Sequence, residues 1–136
     1  ERDIKELNFD YRKGFQKSNT IILYGKFKIT EGNQYSIKNL MKEYENIRNK
    51  TQPQKANCCG SIFKNPVNQS AWKLIKSSID ESFYNGPIKL SKIHSNFFEN
   101  EPNISANSIE LFISKIQKKV RDKHNITLEK ELRIID

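Results

Sequence analysis

The run Cys58-Cys59-Gly60-Ser61-Ile62-Phe63-Lys64-Asn65-Pro66 constrains this chain more than any other stretch. Glycine adopts backbone angles that other residues avoid, and proline fixes its own. The two therefore bracket a brief extended segment with a sharp turn at each end. Between them lie an apolar pair, Ile62-Phe63, and three polar side chains, Ser61, Lys64 and Asn65. A hydroxyl, a cation and an amide packed so closely form a donor set for an anionic, oxygen-rich ligand. On residue types alone, the simpler reading is an edge strand between two turns.

At 136 residues the chain is one domain, or one domain with part of another. It begins at Glu1 and not at methionine, as a fragment would. Apolar residues make up 35% and mean hydropathy is −0.78, yet two aromatic-rich segments and several amphipathic ones suffice for a core. No apolar run approaches the roughly 18–20 residues of a membrane-spanning helix. With no signal peptide legible, a cytoplasmic location is expected and no membrane partner.

The net charge of +8 raises the question of a nucleic-acid partner. The lysines are scattered from end to end, which favours a solvated basic surface over a polyanion site. The same charge would steer any negatively charged substrate. Cys58 and Cys59 are neighbours, where a disulfide is strained, and neither His94 nor His124 stands at zinc-ligand spacing from them. Free thiols and no metal site are expected.

Taken in order, Leu7, Phe9, Tyr11 and Phe15 alternate as in a half-buried extended segment. Residues 20–29, rich in β-branched and aromatic side chains, predict a strand. Ser36 is expected to cap a helix of about 14 residues carrying Ile37, Leu40, Met41, Tyr44 and Ile47 at helical spacing. The polar segment at residues 49–53 ends it and marks a domain boundary. A short helix follows Ser70, with Ala71, Trp72, Leu74, Ile75 and Ile79 on its apolar face. Asn85-Gly86-Pro87 breaks the chain before an extended segment from Ile88 to Ile93, with another around Phe97. The longest helix, residues 107–124, is capped by Ser105 or Asn107, and its last two turns hold Lys115, Lys118, Lys119, Arg121 and Lys123. Residues 126–135 alternate as a final strand. The fold class is α+β.

The string GSIFKNP resembles the signature of the UDP-N-acetylenolpyruvoylglucosamine reductase family, the flavoenzymes (UDP-N-acetylmuramate dehydrogenases) of early peptidoglycan synthesis. The resemblance extends, in register, to Tyr11-Arg12, to Arg48 followed by Gln52-Pro53, to the His94-Ser95-Asn96-Phe97 segment, and to residues 128–135. It implies residues 1–51 as the C-terminal part of an FAD-binding domain and residues 52–136 as a substrate-binding domain.

The implied reaction is reduction of the enolpyruvyl ether of a UDP-sugar, with NADPH reloading bound FAD. Hydride reaches the vinyl carbon and negative charge builds at the neighbouring carbon and its carboxylate. An arginine is needed there, and then a proton donor with an assisting acid. By resemblance Ser61 is the proton donor, Glu131 the assisting acid and Arg12 the carboxylate holder. Asn65 and His94 are implied in substrate binding, and Arg48 faces the flavin or substrate. A serine can serve as the acid only in a dry pocket that stabilises its alkoxide.

The chain departs from the family at Lys13-Gly14-Phe15, where an acidic residue and a serine are usual, and at residues 82–87, where a glycine-rich stretch is usual. It contains little of the family's main FAD-binding portion, so inactivity of the chain alone is expected. Two alternatives stand beside this reading. One is a non-enzymatic remnant of the same family. The other is a small basic nucleic-acid-binding module, resting on the lysine cluster of the last helix, which lacks interleaved aromatics and helix-turn-helix punctuation.

Overall fold

A computed structural model describes residues 4–7, 9–12, 21–53 and 57–134, and the chain divides into two compact units, Glu1–Leu40 and Met41–Asp136. In the first unit, a 3-10 turn, Ile4–Glu6, precedes a turn at Tyr11-Arg12. Phe9 and Tyr11 are exposed, contrary to the half-buried pattern expected of them. Phe15 and Lys13-Gly14 lie outside the described residues.

The strand expected over residues 20–29 is not formed in the described part, residues 21–29. Ile21, Leu23, Phe27 and Ile29 are each more than 80% exposed (83%, 86%, 86% and 86%). Alternation encodes a strand only where a neighbouring strand takes up the backbone N–H and C=O groups and an apolar face covers the side chains. No described residue of the chain supplies either.

Helix α1 spans Gln34–Thr51 and so crosses the border between the units. Its cap is Asn33 and not Ser36. The Asn33 Oδ1 accepts from the Ser36 N–H at 3.0 Å, which places Ser36 at the third helical position. At the other end, Thr51 Oγ1 donates to the Ile47 carbonyl at 2.8 Å. The stripe Ile37, Leu40, Met41, Tyr44 and Ile47 forms as its spacing predicts, but all five side chains are exposed.

In the second unit, α2 (Ala71–Ser78), a 3-10 turn (Glu81–Tyr84), β1 (Ile88–Leu90), β2 (Phe98–Asn100) and α3 (Ala106–His124) enclose one apolar core. β1 and β2 pair antiparallel, with Lys89 opposite Glu99. Ser105 caps α3, its Oγ accepting from the Ser108 N–H at 3.2 Å. Asn125 closes the helix in the left-handed conformation at φ +55°, which asparagine tolerates better than most residues.

Helix α2 contributes Ala71, Leu74 and Ile75 to the core, and α3 contributes Ile113, Ile116 and Val120. The central stretch adds Ile62 and Phe63, both essentially without exposed surface. Each such side chain contributes about 1.5–3 kcal/mol of transfer free energy. That fixes Ile62-Phe63 as part of the core, while the residues flanking the pair stay partly or fully exposed.

The final strand expected over residues 126–135 is reduced to one bridge, Phe63 opposite Lys130, with Leu128 buried. The backbone bends at Ile62 on one side of this bridge and at Leu132 on the other. Ile135 lies outside the described residues.

Candidate functional site

The site grows outward from Gly60. Its φ of +91° is one that a side chain would strain, and it delivers Ser61 half-buried at the head of the Ile62-Phe63 pair. The pair is held on two edges. On one, the Lys64 N–H donates to the Glu129 carbonyl at 2.9 Å and the Glu131 N–H to the Ile62 carbonyl at 2.8 Å. Glu131, distant in sequence, is thereby fixed opposite the residue that follows Ser61.

The other edge is the turn at residues 94–97. The Ile62 N–H donates to the Asn96 carbonyl at 2.9 Å. The buried Asn96 side chain then takes both polar groups of Phe63, accepting from its N–H at 3.0 Å and donating to its carbonyl at 2.8 Å. A single amide does the work of a paired strand. Sequence reasoning assigned Asn96 no such part, and the only signal was its place in the His94-Ser95-Asn96-Phe97 run.

Of the three donors in the central stretch, two are engaged elsewhere. Lys64 pairs with Glu129, and the Asn65 Oδ1 accepts from the Ala71 N–H at 2.9 Å, capping α2. Ser70, which occupies the cap position of that helix, makes no side-chain capping bond. The Ser61 hydroxyl is not hydrogen-bonded to any described residue.

His94 is half-buried, with its ring 4.9 Å from that of Phe97 in an edge-on contact and 6.0 Å from Trp72. Its Nδ1 accepts from the Asn96 N–H at 3.3 Å. Burial holds the imidazole below its ordinary pKa, so the neutral ring is favoured.

Arg48 stands exposed on α1 and is in no ion pair with a described residue. Arg12 belongs to the first unit, at a positive φ of 57°, with its guanidinium 5.6 Å from the centre of the Tyr11 ring. The structure thus places Ser61, Asn65, His94 and Glu131 around one framework, with Arg48 on the helix that opens the same unit. Arg12 is described within its own unit. No described group of three His, Cys, Asp or Glu residues could hold a metal, and no described helix is long and apolar enough to cross a membrane.

The arrangement can be compared with known proteins. The family model for the C-terminal domain of UDP-N-acetylenolpyruvoylglucosamine reductase matches residues 52–135. The chain belongs to this reductase family.

The match takes in Ser61, Asn65, His94 and Glu131, whereas Arg12 and Arg48 precede it. The chain is 38% identical over 131 residues to the UDP-N-acetylenolpyruvoylglucosamine reductase of Wolbachia sp. subsp. Brugia malayi, covering 96% of this chain and 44% of that protein. It is 38% identical over 130 residues to the enzyme of the same name from Prochlorococcus marinus, covering 95% of this chain and 45% of that protein. The crystal structure of the reductase from Thermus caldophilus superposes with a TM-score of 0.75 at 27% identity, over 95% of this chain and 46% of that one. The chain therefore spans less than half the length of these members of the reductase family.

Proposed function

We propose that this chain forms the substrate-side portion of an enzyme that reduces UDP-N-acetylglucosamine enolpyruvate to UDP-N-acetylmuramate in peptidoglycan precursor synthesis. The observation that carries the reading is the family match across residues 52–135, which includes the half-buried Ser61 and the Glu131 bridged beside it. In this reading residues 1–51 are the end of the FAD-binding domain and residues 52–136 the substrate-binding domain. The enzyme works in the cytoplasm.

The residues suit the chemistry assigned to them. Ser61 is the proton donor to the carbon left carbanionic by reduction, and its hydroxyl is not committed to another described group. Glu131 is the assisting acid, held by its own backbone to Ile62. Arg12 binds the enolpyruvyl carboxylate, for which a planar guanidinium offers two parallel donors. Asn65 has its oxygen occupied by α2, so its amide nitrogen is the part that serves substrate. His94, neutral and partly buried, lines the substrate side as a weak donor or a ring contact.

The cofactor reading fits one feature of this chain. The Arg48 guanidinium is exposed and unpaired among the described residues, as a contact to an anionic or oxygen-rich group such as flavin requires. FAD, reduced by NADPH, supplies the hydride when bound.

The test is made on the full-length protein. It should purify yellow and turn over NADPH continuously only when the enolpyruvyl UDP-sugar is present to reoxidise the flavin. Ser61→Ala should leave flavin reduction by NADPH intact and slow substrate reduction by about 10²–10⁴-fold. A colourless full-length protein sinks the enzyme reading, and unchanged turnover in the variant removes Ser61 from its role.

A further inference from the structure

The C-terminal half of α3 carries five cations, Lys115, Lys118, Lys119, Arg121 and Lys123. Two of them are used in packing the helix onto its neighbours. The Lys119 Nζ lies 3.5 Å from Asp80 Oδ2, and the Lys123 Nζ donates to the Ser77 carbonyl at the end of α2. Lys118 and Arg121 do something different. They stand three residues apart on the helix, where like charges repel, and neither is in an ion pair with a described residue.

Both line a cleft of about 430 Å³, together with Ser114, Gln117, Asp122 and Thr127. It is an open surface cleft: of its six lining residues only Gln117 is partly buried. The far wall is braced, because Gln117 Nε2 donates to the Leu128 carbonyl at 2.8 Å and Leu128 is buried. Thr127, next to Leu128 in the chain, lines the same cleft as the two cations. None of these residues belongs to the framework around Ser61.

We propose that this cleft binds a small ligand through a phosphate or diphosphate group. The arginine presents a planar fork to two phosphate oxygens, the lysine a point charge, and Ser114 and Thr127 each a hydroxyl donor. Asp122, which lines the same cleft, opposes a continuous polyanion and accepts from a hydroxyl or amine carried beside the phosphate. A nucleic-acid strand would need a longer basic track with stacking aromatics, and the cleft has neither. The proposal is independent of the reductase chemistry.

The experiment is calorimetric titration of the intact protein with inorganic pyrophosphate, with ADP, and with a short single-stranded oligonucleotide. Saturable binding of pyrophosphate or ADP is expected, weakened by about tenfold or more when Lys118→Ala and Arg121→Ala are combined. Arg121→Lys should fall between, because it keeps the charge and loses the fork. Both substituted residues are exposed, and circular dichroism should show the fold unchanged. Equal affinities for the two probes indicate a free anion as the ligand; tighter ADP binding indicates a phosphate ester. The proposal is overturned if neither small probe saturates, if the double variant binds them as well as the parent, or if only the oligonucleotide binds.

Discussion

The side-chain amide of Asn96 closes both backbone hydrogen bonds of Phe63, at 3.0 Å to its N–H and 2.8 Å to its carbonyl. Both residues are buried, so no solvent stands ready to replace either bond. A buried polar group left unmade costs about 1–3 kcal/mol, and Asn96→Leu would strand two of them. The variant should lose about 2–5 kcal/mol of stability in urea unfolding. Asn96→Asp should also be destabilised, since it sets a second acceptor against the Phe63 carbonyl. Unchanged midpoints in both variants would mean that Ile62-Phe63 is held by packing alone.

Asn65 combines a structural bond with an inferred ligand contact, and the two can be separated. Asn65→Ala removes the acceptor that caps α2 and should cost about 1 kcal/mol. Asn65→Asp keeps an acceptor at a helix N-terminus, where negative charge is favourable, so thermal stability should be retained or raised. If the amide nitrogen also serves substrate, the aspartate variant of the full-length enzyme should show a raised KM despite its normal melting temperature. A normal KM there would confine Asn65 to capping.

His94 gives the domain a pH dependence with a definite sign. Burial holds its folded-state pKa below the ordinary 6.5, so the unfolded chain takes up this proton first as pH falls. The stability associated with the neutral ring is complete above about pH 6.5 and is lost as pH falls through the lower folded value. Protonation also removes the Nδ1 acceptor used by the Asn96 N–H. Melting temperatures taken from about pH 7.5 to about pH 5 should fall more steeply in the parent than in His94→Gln. Parallel curves would show that the imidazole is not desolvated.

Helical periodicity made α2 and α3 legible in the sequence, and capping chemistry delimited α3. Both signals are local, resting on side chains three or four residues apart and on the N–H groups of one turn. Ser105 and Asn125 delimit α3 as their types predict, because a cap needs only the helix it ends. At α1 the same logic chose the wrong residue. Asn33 and Ser36 are both good caps, and the helix takes the earlier one, whose acceptor reaches the Ser36 N–H.

Strand signals fared worse for a physical reason. The alternation in residues 20–29 describes a surface that fits a sheet, but strand formation needs a second chain segment, and none of the described residues pairs with it. The segment after α3 likewise forms, among the described residues, a single bridge, between Phe63 and Lys130.

The sequence by itself determined helices α2 and α3, the glycine-led turn before Ser61, and, through GSIFKNP and its companion segments, the family. These depend on residue identity and on neighbours within a few positions. Only the tertiary structure decided what each polar residue is free to do. It committed Lys64 to Glu129 and the Asn65 oxygen to α2, gave Asn96 to Phe63, and left the Ser61 hydroxyl without a bond to any described residue. Hydrogen-bonding capacity is written in each residue type, but its partner is fixed by which distant backbone groups burial brings within 3 Å or so and cuts off from water.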